Sequence, residues 1–480
     1  MNPFDRAIAA LAPRYAAKRA LARVQLAQIE RVAAAARPAR YATGLRDFDI
    51  NTGDPNDGRP RQIVDRATLL RLAYTNPYGR KALRALLNGT IGWGITGAPK
   101  APKAVQTLWN SWVRVSDFRG RLNFYGQQAL ATRTMFREGE AFIVRHYVKN
   151  AAVLPFRIDV MDAGMLDTSK VADDVEGGIE YDQDGNVNAY WFHRARPSYR
   201  RNRPSVRYPA EDVIHLFEQE DAGQKRGRSI FEPVIKRLGD IDDALDADLV
   251  RRKIESCFVG FRRINPEWVD EPFGEIQDRG DDRPPAEYFE PGTLTTLNPG
   301  EDVQFADPKP AGGLNEAVRI NLLATAAGVG ATYEHVTGDL SNVNFSSYRA
   351  GALEFDATNE ERQFNTIIPV FLDRVWGWFC QAAYEFGKTR AETYEMRWTP
   401  PPRKSIDRKG DAEADILEMQ AGLENRRSLL NSRGLDHDTF MEETAADLKK
   451  QQEQGLYYKG DPFTAAQASG GAATTSSTGA

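Results

Sequence analysis

The chain has 480 residues with 63 Lys and Arg against 67 Asp and Glu, a formal net charge of −4. That length supports two to four globular units, 41% hydrophobic content supplies a core, and the mild acidity excludes a protein that wraps nucleic acid through bulk basicity. Cys257 and Cys380 lie too far apart in sequence for a dense disulfide framework, and the most apolar stretch, 320–333, falls short of the roughly 20 residues that span a bilayer.

The first forty residues set Arg6, Arg14, Lys18, Arg19, Arg23, Arg31, Arg37 and Arg40 against only Asp5 and Glu30 in an Ala-rich background. This predicts a peripheral basic helix over 15–36, with a disordered arm or a targeting segment as the alternatives. A polar linker, 51–61, precedes helical periodicity through Leu69, Leu70, Leu72 and Ala73, then Ala82, Leu83, Leu86 and Leu87, which should stop at Gly89. Gly92, Gly94 and Gly97 among apolar residues mark a tight turn. Trp109, Trp112 and Val113, followed by 122–137, predict an amphipathic helix pair. From Gly139 the period becomes two, giving strands at 141–148, 156–161, 177–181, 187–193 and 212–217, an antiparallel sheet in an α+β domain.

A long helix is predicted from Ile230 to about Phe258, roughly 40 Å at 1.5 Å per residue. Val234, Leu238, Ile241, Leu245 and Leu249 form one apolar stripe, and Asp240, Asp242, Asp243 and Asp246 lie largely opposite it. Pro, Gly and acidic residues fill 260–313, with β-like pieces at 258–264, 292–297 and 302–306. Helix returns over 314–327, breaks across 328–344 as a flexible loop, and resumes at Ser346 or Ser347, either of which could cap it. Pro369 should bend or break that last helix near Ile368. A strand at 395–399 and Pro400-Pro401-Pro402 lead into charged helices over 405–454 with a turn at Arg433-Gly434. The Ala/Gly/Ser/Thr-rich end, 456–480, reads as disordered.

Catalytic chemistry finds little support. Residues 382–389, A-A-Y-E-F-G-K-T, fit a loose phosphate-loop pattern, but the bulky interior and position at a helix end favour a helix terminus with Gly387, Lys388 and Arg390. His146, His193, His215, His335 and His437 lack metal-ligand spacing, and the clustered acids of the long helix step around it instead of converging. No catalytic residue, cofactor or metal is expected.

Several segments, in order, resemble the lambda-type portal proteins of tailed bacteriophages. They are Phe4-Asp5-Arg6; Asn76-Pro77-Tyr78 with Ile91-Gly92-Trp93-Gly94-Ile95; Arg137-Glu138-Gly139-Glu140-Ala141-Phe142; His215-Leu216-Phe217 with Arg226-Gly227-Arg228-Ser229; Pro291-Gly292-Thr293 to Leu297-Asn298-Pro299-Gly300-Glu301; 326–339; and 342–349, where Phe345 replaces the family's usual Tyr. The resemblance implies a portal fold: a wing over 1–227 and 346–404, stem helices 228–258 and 313–330, a β-containing clip 259–312, a tunnel loop 331–345 and a helical crown 405–455.

It also implies a non-catalytic, dodecameric ring at one capsid vertex of the virion, assembled in the bacterial host cytoplasm, that passes double-stranded DNA during packaging and ejection. The implied partners are further copies of the chain, terminase large subunit, head-tail adaptor and completion proteins, and capsid and scaffold proteins, with no membrane. Glu334, His335, Asp339, Asn342 and Asn344 of the tunnel loop would face DNA, and the acids of the first stem helix would repel its phosphates. The alternatives are a DNA-acting nuclease or ATPase, and a different head-tail adaptor ring.

Overall fold

The computed structural model describes residues 73–149, 151–194, 204–256, 260–264, 301–305, 313–341, 343–402 and 407–456, all within the unit Gly58–Ala480. Expectations for the N-terminal basic helix, the 51–61 linker, the 292–297 strand, Cys257, Asn342 and the C-terminal tail lie outside the described residues.

The helices before the sheet are α1 (Pro77–Thr90), α2 (Lys103–Val115) and α3 (Phe124–Glu138). Asn76 caps α1, its Oδ1 accepting from the Gly79 amide at 2.8 Å, and Pro77 occupies the first helical position, where a missing N–H costs nothing. Asn123 caps α3 in the same way. Between α1 and α2 the chain forms β1 (Thr96–Lys100), which pairs antiparallel with β11 (Glu395–Thr399). The glycine turn is held at Ile95, whose backbone N–H and C=O both bond the Gln128 side-chain amide, at 2.8 and 3.1 Å.

The strands β2 (Glu140–Tyr147), β3 (Phe156–Asp162) and β8 (Val213–Phe217) form one antiparallel sheet in the order β3-β2-β8. A second has the order β4-β5-β6-β7, from β4 (Val175–Glu176), β5 (Ile179–Tyr181), β6 (Val187–His193) and β7 (Ser205–Pro209). The strand predicted over 177–181 is therefore shorter, beginning at Ile179: Gly177 and Gly178 take φ of +55° and +86° and make the β4–β5 turn. β2 is buried on both faces. Ala141 and Ile143 join the main core, whereas Phe142 and Val144 pack with Met161, Ile179, Phe192 and Val213 in a smaller core under the second sheet. The period of two thus sorts one strand between two cores.

The main core centres on Trp109, whose ring lies 5.1 to 5.5 Å from those of Trp112, Phe124, Trp376 and Phe379. It also holds the start of α4 (Ile235–Ser256), α5 (Leu314–Gly328), α6 (Tyr333–Thr337), α7 (Phe345–Arg362) and α8 (Asp373–Glu385). Short strands β9 (Gly260–Ile264) and β10 (Glu301–Phe305) pair antiparallel between α4 and α5. After β11 come α9 (Arg408–Gln420), α10 (Arg426–Ser432) and α11 (His437–Gln454).

Pro369 does not break its helix. From Gln363 to Leu372 the backbone runs as a π-helix joining α7 to α8, and Asp373 N–H bonds the Ile368 carbonyl five residues back. The widened turn accommodates a residue that cannot donate and whose ring would clash with a carbonyl four residues earlier. The long helix also starts later than predicted, at Ile235. Ser229 Oγ donates to the Arg137 carbonyl at 2.7 Å and Ile230 N–H to that of Phe136 at 3.2 Å, so 229–234 is spent on turns before the helix begins.

Candidate nucleic-acid interface

Several of the segments that carry the sequence motifs, at Asn76, Arg137–Phe142, Arg226–Ser229 and 326–339, meet around the root of α4. Its N-terminal half packs antiparallel on α5: Arg237 Nη1 bonds Asn321 Oδ1 at 3.3 Å, and a Cβ on Gly328 would stand 2.3 Å from Val234 Cγ1. Val234, Leu238 and Ile241 are buried, but the rest of the predicted stripe is not. Leu245 and Leu249 are 39% and 50% exposed, as are Val250, Ile320 and Leu323 to similar degrees.

The acids of α4 divide as well. Asp240, Asp243 and Asp246 are exposed, but Asp242 is not on a solvated face. Its Oδ1 accepts from Asn76 Nδ2 at 2.9 Å, so this acid fixes the cap of α1 against α4. Asn76→Ala removes both the cap and this bond, and we expect a loss of about 1–2 kcal/mol in urea unfolding. Asp242→Ala should cost less, and the double variant little more than Asn76→Ala alone.

Behind this contact, Glu140 at the start of β2 lies 2% exposed. Arg226 grips it with Nε at 2.8 Å from Oε2, and His215 Nε2 sits at 3.0 Å from the same oxygen. Burial alone would raise the Glu140 carboxyl, but the Arg226 guanidinium and the His215 bond hold it well below the usual carboxylate range. Burial pushes His215 down, only partly opposed by Glu140. Gly139 and Gly227 make the approach possible: a Cβ on Gly227 would lie 2.1 Å from the Gly139 carbonyl oxygen.

The segment expected to be a flexible tunnel loop is largely anchored. Thr332 caps α6, Gly338 ends it at φ +77°, and Val336 is fully buried. His335 stacks on Phe355 with ring centroids 4.1 Å apart. Burial lowers its pKa, with Lys81 adding to the effect and Asp356 and Glu334 opposing it, which disfavours the charged imidazole. Asn344, not Ser346 or Ser347, caps α7 by accepting from the Ser347 amide at 2.8 Å. Glu334 is half-buried. Asp339 is exposed, and hydrogen bonds from the Ser341 hydroxyl (2.7 Å) and amide (2.9 Å) keep it ionised. What remains open to solvent is the turn 338–341, with Leu340 61% exposed, and the first turn of α7 with Phe345.

The phosphate-loop lookalike is a helix end. α8 stops at Glu385, Gly387 takes φ +65°, and the Gly387 and Lys388 amides bond the Tyr384 and Ala383 carbonyls, so they do not converge on an anion. Cys380 is buried, which pushes its thiol up to about 11. Among the described residues no three acidic, His or Cys side chains are grouped to hold a metal, and no helix is long and apolar enough to cross a membrane.

The family described as phage portal protein, lambda family, matches residues 55–363. A protein named "Probable portal protein" from Halomonas phage phiHAP-1 is 24% identical over 448 residues, covering 84% of this chain and 85% of its own. Among solved structures, a chain of the neck of a native gene transfer agent particle, computed with C12 symmetry, aligns with a TM-score of 0.46 at 14% identity, over 78% of this chain and 94% of that one. An HK97 family phage portal protein from Corynebacterium diphtheriae aligns with a TM-score of 0.34 at 11% identity, over 65% of this chain and 93% of its own.

Proposed function

Because the chain belongs to the lambda family of phage portal proteins, a structural and not a catalytic family, we propose that it is one subunit of a dodecameric ring at a capsid vertex, through which double-stranded DNA is packaged and ejected. In this reading the two sheets with α1–α3, α7 and α8 form the wing, α4 and α5 the stem, β9–β10 part of the clip, the 331–345 segment the tunnel loop, and α9–α11 the crown. The clip receives terminase during packaging and the head-completion proteins afterwards.

One observation carries the reading: the α4–α5 hairpin leaves Leu245, Leu249, Val250, Ile320 and Leu323 exposed while Asp240, Asp243 and Asp246 line its outside. Apolar side chains at helical spacing suit a neighbouring copy, and the acids suit a wall that a duplex slides past. A wall of cations would instead bind it, since each phosphate neutralised adds salt-dependent affinity. Electron microscopy of the purified protein tests this. Annular particles are expected; a monomer at every concentration would sink the proposal.

A further inference from the structure

The acids around the turn that joins α2 to α3 are all engaged, and one cation there is not. Asp117 is buried, its Oδ1 accepting from the Arg119 amide at 3.1 Å and its Oδ2 from the Arg121 and Leu122 amides at 2.7 and 3.0 Å. Asp159 on β3 holds the Arg119 guanidinium, with Nη2 at 2.6 Å from Oδ2. Asp162 accepts from the Gly164 amide at 3.0 Å. These bonds fix the turn in one shape, so little ordering is left for a partner to impose. The exposed Arg121 guanidinium has no hydrogen-bonding or ionic partner among the described residues.

That turn walls a groove of about 650 Å³ between α3 and the edge strand β3. The apolar lining is Leu122, Leu130, Val160, Met161 and Met165. Leu122 is 38% exposed and Leu130 half-buried, and neither packs into the main core or the smaller one. Phe118, in the same turn, is 42% exposed and stacks on His146 with ring centroids 4.2 Å apart.

The field beside the groove is positive. Burial raises the Tyr208 hydroxyl and Asp159 adds to this, while Arg194 and Arg119 both oppose it, so the two guanidiniums lie within electrostatic reach of one hydroxyl. Arg194 begins the connection from β6 to β7, 194–204, which carries five arginines and no Asp or Glu.

We propose that this groove docks an acidic amphipathic helix of another protein. The apolar stripe of that helix seats on Leu122, Leu130 and Val160, and its carboxylates meet Arg121 in the positive field that begins at Arg194. A nucleic acid fits less well, because phosphates need only cations and would leave the apolar lining uncovered. Such a groove serves ring and monomer alike.

Fluorescence anisotropy on the full-length protein tests this, using a labelled synthetic helix about 14 residues and roughly 20 Å long, with Leu at three- and four-residue spacing and Glu at most other positions. Wild type should bind it about tenfold or more tightly than the same peptide with Lys for Glu, and more tightly than a short DNA duplex. Arg121→Glu and Leu130→Gln should each weaken binding by about five- to tenfold with thermal unfolding unchanged, since Arg121 is exposed and Leu130 lies outside both cores. Equal affinity for the Glu and Lys peptides, or an Arg121→Glu variant that binds like wild type, overturns the proposal. A duplex that binds more tightly than the peptide and loses that affinity in Arg121→Glu also overturns it, in favour of a nucleic-acid surface. Binding by the monomer that rings lack overturns it too, by placing the groove under a neighbouring copy. A preparation that never forms rings sinks the ring reading alone, since the monomer still reports on the groove.

Discussion

Replacing Glu140 by Ala is expected to destabilise the protein by about 3–5 kcal/mol, the cost of leaving a largely buried charge without its partner. The carboxylate holds Arg226 and His215 at once, and Arg226 begins the segment that leads into α4. Gly227→Ala attacks the same joint sterically, because the new Cβ would meet the Gly139 carbonyl, a backbone atom with little freedom to move. Thermal and urea unfolding should place both variants well below wild type with secondary structure retained at low temperature. A Glu140→Ala loss under about 1 kcal/mol would mean that the pair contributes no more than a surface ion pair.

The same cluster sets a pH dependence. His215 has a lowered pKa in the fold, so on acidification below about 6.5 the unfolded chain takes up a proton that the native state refuses, and stability falls. Glu140 has a depressed pKa in the fold, so its contribution is complete above the ordinary Glu value near 4.3 and is lost as pH falls toward its native value. Both effects favour neutral pH. His215→Gln should flatten the slope between pH 7 and 5, and Glu140→Ala the slope below 5.

This joint also shows what the sequence made legible. Arg137 to Phe142 and Arg226 to Ser229 were recognisable as motifs, but nothing in linear spacing says that residues 86 positions apart form one ion cluster. The helices and most strands were readable because their apolar period is strong. β1 was not, since Gly97 and Pro99 hide it and its partner β11 lies some 300 residues away. The 328–344 segment was only partly legible for a related reason: the interrupted apolar period reads as a loop, whereas Val336 and His335 are held by tertiary contacts with no local signature. Asp242 looked like any other acid on a solvated face until Asn76 was placed beside it.

In the proposed ring, putting cations on the open turn should convert a surface past which DNA slides into one that grips it. Asp339 and Leu340 are exposed, and neither joins the main core, so Asp339→Lys with Leu340→Lys is tolerable for folding. In the proposed ring every subunit would then present two ammonium groups to the duplex. Six to ten phosphate contacts change affinity by roughly 10³–10⁵ between about 50 and 200 mM salt. Packaging into purified heads by the terminase of the same phage should therefore stall at the lower concentration and recover at the higher. A control with Asp339→Asn and Leu340→Gln, which retains an oxygen to accept from Ser341, should package like wild type at both. If the lysine variant packages normally at low salt, or is defective without relief by salt, the 338–341 turn does not meet DNA and the channel contact must be sought elsewhere on the chain.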